Sequence, residues 1–229
     1  MVEAVLFDLD GTLADTAPDM ARTVNLMRTA RGLVPVALEI VRPHVSNGAR
    51  GMIGSAFGIA PGHPEFQSMR EEFLTLYADN LCIGTRLFPG MAELLDALER
   101  KGIAWGVVTN KFERFARPVL EGLGIAHRAG TIVGGDTCER PKPFADPLLY
   151  AARAIQVAAS RTLYIGDDER DVQAARAAGM GALVAGYGYV GTGSPPSAWG
   201  ADGIVDSASA IAAWIGLGGA SMPGAMISP

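Results

Sequence analysis

Two aspartates that follow an apolar run are the first candidates for chemistry in this chain. Asp8 and Asp10 come directly after the run from Ala4 to Phe7, which is typical of a strand buried on both faces. Residues two apart in an extended segment point the same way, so the two carboxylates should share one face. One carboxylate can attack phosphorus as a nucleophile, and its neighbour can exchange the protons of the reaction. We therefore interpret Asp8 as a nucleophile and Asp10 as a general acid and base.

Further polar residues follow two later apolar runs, and one lysine lies in a proline-flanked loop. In a parallel sheet the carboxyl ends of the strands meet at one edge, where ligands bind. Several carboxylates gathered there would raise one another's pKa values unless a hard cation such as Mg²⁺ neutralised them. We predict a magnesium site with a second positive group nearby, formed by some of Asp8, Asp10, Thr12, Thr109, Asn110, Lys111, Lys142, Asp167, Asp168 and Asp171.

The spacing of apolar residues indicates which elements must hold these groups in place. From about residue 89 onward, short apolar runs alternate with helical patterns that end at Gly102, Gly124 and Gly179. This alternation predicts right-handed βαβ units and a parallel sheet. Residues 15–84 instead show helical spacing throughout. We therefore expect a core of residues 1–14 and 85–215, a helical insert of residues 15–84 and a flexible tail of residues 216–229.

Composition narrows the class of partner. The chain has 229 residues, 49% of them hydrophobic and 19% charged, with a formal net charge of −5. Such a sequence can form a globular core, and without a basic cluster it shows no sign of nucleic-acid binding. The apolar runs are shorter than the ~20 residues that span a bilayer. We expect a cytoplasmic protein, a monomer or homodimer, that acts on a small phosphorylated metabolite.

Four segments, in chain order, resemble the four motifs of the haloacid dehalogenase (HAD) superfamily. The likeness covers about residues 4–215. It implies an α/β fold in which a Rossmann-like parallel sheet, flanked by helices, carries an inserted all-helical cap. The four segments are Asp8-Leu9-Asp10-Gly11-Thr12, Thr109-Asn110, Lys142, and Gly166-Asp167-Asp168-Glu169-Arg170-Asp171.

The resemblance also implies roles for these residues. Mg²⁺ would be held by the Asp8 carboxylate, the Asp10 carbonyl and Asp167. Asp171 would support the metal or Lys142, and Asp168 is a further supporting candidate. Asp8, Asp10, Thr109 and Lys142 are then the expected catalytic residues, while Thr12 and Asn110 are expected to bind phosphate.

More narrowly, the chain resembles the phosphoglycolate phosphatase group and the N-acetylmuramic acid 6-phosphate phosphatases. The segments that carry this likeness include Gly135-Asp136-Thr137, Asn47-Gly48-Ala49-Arg50 and Trp199-Gly200-Ala201-Asp202. We expect a phosphoric monoester hydrolase of the phosphoglycolate phosphatase type. Hydrolysis of N-acetylmuramic acid 6-phosphate is the alternative, and a phosphosugar mutase on the same fold is a third possibility.

Two expectations concern the insert. Arg50 is a candidate for binding a substrate carboxylate, because a guanidinium can donate two parallel hydrogen bonds to a carboxylate. The alternative is that Arg50 is an ordinary exposed arginine on the surface of the insert. The insert should close over the strand ends and exclude water, with hinges near Asp15 and Gly84–Thr85.

Overall fold

The computed structural model describes residues 1–191 and 193–217. Its strands are β1 Ala4–Phe7, β2 Ala14–Asp15, β3 Arg86–Leu87, β4 Ala104–Val108, β5 Ile132–Val133, β6 Thr162–Gly166, β7 Gly181–Ala185 and β8 Gly203–Val205. Its helices are α1 Ala17–Ala30, α2 Leu38–Val41, α3 Gly48–Phe57, α4 Phe66–Ala78, α5 Met91–Arg100, α6 Glu113–Gly122, α7 Asp146–Ala154, α8 Glu169–Ala177 and α9 Ala208–Trp214.

Six strands form one parallel sheet in the order β5-β4-β1-β6-β7-β8. The central strand β1 is fully buried, which explains its unbroken apolar run. Helices cover the sheet through apolar stripes, and in α5 the buried residues Met91, Leu94, Leu95 and Leu98 recur at helical spacing. The predicted fold class is confirmed. The strand β1 lies between β4 and β6 and is parallel to both, so the carboxyl ends of all three strands meet at the same edge of the sheet.

The predicted helical insert consists of α1 to α4 and a 3₁₀ segment at Arg42–Asn47. These helices enclose a second hydrophobic cluster, which includes Met27, Met52 and Phe73. A ribbon of two residues per strand, β2 paired antiparallel with β3, joins the insert to the sheet. The division into separate domains at residues 15 and 84 stays a prediction. No described helix is long and apolar enough to cross a bilayer.

Several elements differ from the sequence prediction. The ribbon β2–β3 was not predicted, because two residues per strand are too few to show alternation. The strand β8 and the helix α9 also lie in a region for which no element was predicted. Of the predicted tail, Gly216 and Leu217 continue the last turn of α9, where the Leu217 N–H donates to the Ala212 carbonyl (2.8 Å). Residues 218–229 lie outside the described residues.

Candidate active site

The carboxyl ends of β1, β4 and β6 border a cavity of about 200 Å³ beneath the insert. Eight of the predicted residues line it: Asp8, Asp10, Thr109, Asn110, Lys111, Lys142, Asp168 and Asp171. The loop Val45–Gly48 of the insert forms its opposite wall. The topology therefore brings together side chains that lie up to 163 positions apart in the sequence.

Asp8 and Lys142 form a buried ion pair at the bottom of this cavity. The Lys142 ammonium lies 3.0 Å from Asp8 Oδ1 and 2.7 Å from Asp171 Oδ1. The Leu9 N–H also donates to Asp8 Oδ1 (2.8 Å). Burial raises the pKa of Asp8 to about 6, although Lys142 acts in the opposite direction. Burial disfavours the charge on Lys142 as well, but Asp171 and Asp8 hold the pKa of this lysine above its usual value.

A cluster of three carboxylates could hold a cation. One oxygen each from Asp8, Asp167 and Asp171 lies within 4.8 Å of the others. Burial, together with the charges of Asp8 and Asp171, raises the pKa of Asp167 well above its usual value. Gly11 has a φ of 84°, and a Cβ there would overlap the Asp167 carboxylate, so only glycine permits this approach. Asp171 is less available, because its oxygens already accept bonds from Lys142 and the Asp168 N–H.

Thr12 and Asn110, the two residues expected to bind phosphate, contact other protein groups, and their phosphate-binding role stays a prediction. Thr12 is fully buried outside the cavity, and its hydroxyl donates to Asp167 Oδ1 (3.2 Å). Asn110 Nδ2 donates to the Lys142 carbonyl (2.9 Å), and Asn110 Oδ1 accepts from the Lys142 N–H (3.0 Å). Both amide ends of Asn110 therefore position the loop that carries Lys142. Thr109 does line the cavity, and its hydroxyl accepts from the Lys111 N–H (3.2 Å).

Lys111 is a site residue to which sequence reasoning assigned no role. Its ammonium lies 2.9 Å from Asp10 Oδ1 and 3.1 Å from Asp10 Oδ2, and its side chain is almost fully buried. Burial opposes its charge, yet Asp10 holds the pKa of Lys111 above its usual value. The Thr16 hydroxyl donates to the same carboxylate (2.5 Å). The available signal for Lys111 was its place directly after Thr109 and Asn110, which follow the end of β4.

Asp168 and Arg170 form a further ion pair at the cavity, and the sequence did not predict this pairing. Asp168 caps α8 by accepting from the Arg170 N–H (2.9 Å), and it also accepts from the Arg170 guanidinium at 2.7 and 2.8 Å. Burial opposes ionisation, but Arg170 holds the pKa of Asp168 below its usual value. Arg170 also donates to the Ser46 carbonyl in the insert (2.9 Å). Arg170 thus connects the core to the insert at the rim of the cavity.

Tyr189 links the carboxylate cluster to the start of the insert. Its N–H donates to Asp167 Oδ2 (2.8 Å). Its hydroxyl accepts from the N–H groups of Thr16 and Ala17 (2.8 and 2.9 Å) and donates to Asp15 Oδ1 (3.0 Å). A predicted hinge residue is therefore tied directly to the loop that follows β7. Tyr189 is not among the residues that the sequence predicted at this site.

Arg50 lies outside the catalytic cavity. It lines a neighbouring cavity, and its guanidinium donates to Asn47 Oδ1 (3.3 Å) on the exposed side of the insert. The structure therefore does not bring Arg50 against the Asp8–Lys142 pair.

Comparison with known proteins gives consistent results for most of the chain. The model of the haloacid dehalogenase-like hydrolase family matches residues 5–185. A Pseudomonas aeruginosa protein named N-acetylmuramic acid 6-phosphate phosphatase is 46% identical over 90% of this chain and 91% of its own length. A Xanthomonas campestris pv. campestris protein named phosphoglycolate phosphatase is 45% identical over 92% of this chain and 96% of its own length.

A solved structure has the same architecture. The crystal structure of a predicted phosphoglycolate phosphatase from Haemophilus somnus 129pt superimposes with a TM-score of 0.81. It is 29% identical and covers 93% of this chain and 98% of its own. The names of these relatives agree with the predicted enzyme class, a phosphoric monoester hydrolase. Together with the site geometry, the family match over residues 5–185 leads to one conclusion: this chain belongs to the haloacid dehalogenase-like hydrolase family.

Proposed function

We propose that this chain is a magnesium-dependent phosphatase that hydrolyses a small, carboxylate-bearing phosphate monoester through a phosphorylated Asp8. One observation carries the proposal: the Asp8 carboxylate lies buried between Lys142 and two further carboxylates at the bottom of a cavity large enough for a phosphate. A carboxylate that only stabilised the fold would not need this arrangement, because burial of like charges is unfavourable.

The charges at the site support a divalent cation. Three cations are each paired with a carboxylate, namely Lys111 with Asp10, Lys142 with Asp171 and Arg170 with Asp168. The Asp8 and Asp167 carboxylates remain, with a formal charge of −2 balanced only by the sharing of Lys142. Hard oxygen donors of this kind suit Mg²⁺, and we propose that Asp8, Asp167 and the Asp10 carbonyl hold it. When bound, the ion would neutralise charge on the phosphate and on the attacking carboxylate.

In the proposed first half-reaction, an Asp8 oxygen attacks phosphorus and the bond from phosphorus to the substrate alcohol breaks. Asp10 gives its proton to the departing oxygen, and Lys142 and Thr109 stabilise charge on the phosphate. In the second half-reaction, Asp10 takes a proton from water, and the resulting hydroxide attacks the same phosphorus. The acyl phosphate bond breaks, which releases phosphate and restores the Asp8 carboxylate. Transfer to water, not back to a sugar, distinguishes this reaction from that of a mutase.

We propose that the insert of residues 15–84 acts as a cap over this reaction. The Arg170 bond to the Ser46 carbonyl and the loop Val45–Gly48 support that role, because they cover the Asp8 carboxylate from the solvent side. Exclusion of water while the acyl phosphate forms favours transfer from the substrate over side reactions.

N-Acetylmuramic acid 6-phosphate is the second candidate substrate beside phosphoglycolate. The 46% identity to the Pseudomonas aeruginosa protein of that name supports it, and so does a neighbouring cavity that has arginines in its wall. Both candidate substrates carry a carboxylate, so both fit the proposal.

The proposal is tested by phosphate release with and without Mg²⁺, for wild type and Asp8→Asn. We expect release that depends on Mg²⁺ and falls by at least a thousandfold in the variant, because an amide cannot form the acyl phosphate. Phosphorus NMR should show inorganic phosphate as the product. Equal rates for the two proteins, or phosphate returned to the sugar, would overturn the assignment.

A further inference from the structure

A second cavity, of about 210 Å³, adjoins the catalytic one on the side of the insert. The two share five wall residues: Met20, Asn47, Gly48, Asn110 and Lys111. Because these side chains form walls of both spaces, a ligand whose phosphate lies at Asp8 can extend from the first cavity into the second. The second cavity is thus placed where the alcohol part of a phosphate ester would lie.

Aromatic side chains form part of the wall of the second cavity. One face of α4 contributes residues spaced by three and four positions, which is the spacing of neighbours on a helix. The segment that follows β4 and the helix α6 contribute further aromatic residues, and the Tyr77 and Phe115 rings pack against each other with 5.7 Å between their centres. The main wall residues are Arg70, Phe73, Leu74 and Tyr77 from α4, together with Phe112 and Phe115.

Two polar groups in this cavity, on Tyr77 and Arg70, are free to bind a ligand. The Tyr77 hydroxyl is buried and forms no well-directed hydrogen bond with any described residue, although the Lys111 ammonium lies close to it. The nearby Lys111 ammonium, 4.8 Å from the ring centre, is occupied by Asp10. Arg70 forms no ion pair within residues 1–191 and 193–217. A buried hydroxyl without a partner is unfavourable, so a ligand that supplies one would be bound more tightly.

The distance that the wall residues span along α4 bears on the choice between the candidate substrates. Tyr77 lies next to the Lys111–Asp10 pair, and Arg70 lies seven residues away on the same helix face, about 10 Å along the axis at 1.5 Å per residue. The alcohol part of phosphoglycolate has two carbons and reaches roughly 3 Å at bond lengths of about 1.5 Å. A two-carbon group therefore leaves most of the second cavity unfilled.

We propose that the second cavity binds the alcohol part of the substrate, and that Tyr77 and Arg70 determine specificity there. This inference rests on the proposed phosphatase function. The fitting class is a phosphate ester of a ring-sized alcohol that carries both a carboxylate and an apolar or amide substituent. The aromatic rings pack against the ring and its substituent, the Tyr77 hydroxyl bonds to a polar atom near the reacting end, and Arg70 pairs with the carboxylate at the far end.

Three phosphate esters test the inference with the intact protein and Mg²⁺: phosphoglycolate, N-acetylmuramic acid 6-phosphate and N-acetylglucosamine 6-phosphate, the last a similar sugar without the carboxylate. We expect kcat/KM to be highest for the sugar with the carboxylate. Its ratio to phosphoglycolate should fall roughly tenfold to a hundredfold in Arg70→Gln and roughly two- to tenfold in Tyr77→Phe, the sizes typical of charged and neutral hydrogen bonds. Arg22→Gln, at an exposed position of α1 outside both cavities, is the matched control and should keep the ratio.

A ratio that stays the same in both variants would overturn the inference, and so would faster hydrolysis of phosphoglycolate than of both sugars. Either result leaves the proposed phosphatase standing. If none of the three esters is hydrolysed, the proposed function fails instead. Calorimetric binding of N-acetylmuramic acid 6-phosphate then still tests the cavity, because equal affinity for wild type and Arg70→Gln would overturn the role of Arg70.

Discussion

Replacement of the proposed nucleophile should stabilise the metal-free protein. Asp8 is only 8% exposed and its pKa is raised from 3.8 to about 6, chiefly by burial. A difference of about two pKa units corresponds to about 3 kcal/mol. In Asp8→Asn the neutral amide can still accept bonds from the Leu9 N–H and Lys142. We therefore expect a gain in the free energy of unfolding of up to about 3 kcal/mol at pH 7.5.

The raised pKa of Asp8 also predicts how the stability of the metal-free protein changes with pH. The folded protein binds the Asp8 proton more tightly than the unfolded chain does, because its pKa is the higher one. The resulting stabilisation is fully present below pH 3.8 and is lost as the pH rises through about 6. Metal-free wild type should therefore be more stable at pH 5.0 than at pH 7.5, by roughly 1 kcal/mol from Asp8 alone. In Asp8→Asn this contribution to the pH dependence should vanish.

Urea unfolding in the presence of a chelator, at pH 5.0 and 7.5, measures both quantities. Asp79→Asn, at an exposed position of the insert, is the matched control and should change the free energy of unfolding little. The reasoning would be refuted if wild type were no less stable at pH 7.5 than at pH 5.0 and if Asp8→Asn gained nothing. Burial of the carboxylate would then not be the source of the raised pKa.

Three further variants test other contacts of the site. Mg²⁺ at a hundred times its dissociation constant should raise the free energy of unfolding of wild type by about 2.7 kcal/mol, and Asp167→Asn should lose most of that rise in urea unfolding. Lys111→Met removes the ion pair that holds Asp10, so kcat/KM for phosphate release should fall roughly tenfold to a hundredfold. Tyr189→Phe leaves the buried Thr16 N–H without an acceptor and the Ala17 N–H with only Asp15 Oδ1 (3.3 Å), and it should lower the free energy of unfolding by roughly 1 to 2 kcal/mol.

Matched variants at exposed positions separate these effects from general damage. Lys101→Met should keep the rate of phosphate release, and Tyr150→Phe should keep the free energy of unfolding, because both side chains are exposed and lie outside the site. An equal effect of Mg²⁺ on wild type and Asp167→Asn would contradict the proposed ligand. Unchanged rates in Lys111→Met, or unchanged stability in Tyr189→Phe, would contradict the roles given to those contacts.

Sequence reasoning succeeded where the topology alone fixes a position. A buried strand followed by Asp8 and Asp10 places both residues at the carboxyl edge of a parallel sheet, whatever the side-chain packing is. The same argument placed Thr109 and Asp167, because each follows a strand that pairs within this sheet. Local periodicity likewise predicted the helical nature of residues 15–84, since a helix needs only its own sequence to show its pattern.

Contacts that depend on how separate elements pack could not be predicted. The sequence placed Lys111 just after the end of β4. Its ion pair with Asp10 could not be predicted, because that pair depends on the direction that the Lys111 side chain takes beneath Tyr77 of α4. Tyr189 reaches from the loop after β7 to the first residues of the insert, a contact that no local pattern contains. The two hydrogen bonds between the Asn110 amide and the Lys142 backbone also could not be predicted, because they depend on how closely the two loops approach.

The cost of the carboxylate cluster to stability is part of the argument for its function. Asp8 and Asp167 lie together in the interior with raised pKa values, so the metal-free fold would gain stability if either carboxylate became neutral. Nothing in the packing requires them, because asparagine has the same shape. A cation that binds there removes the unfavourable interaction of the two buried charges. The charges that destabilise the metal-free fold are therefore the same charges that give the site its affinity for the metal. Asp8→Asn and Asp167→Asn should therefore both stabilise the metal-free protein and both weaken its response to Mg²⁺.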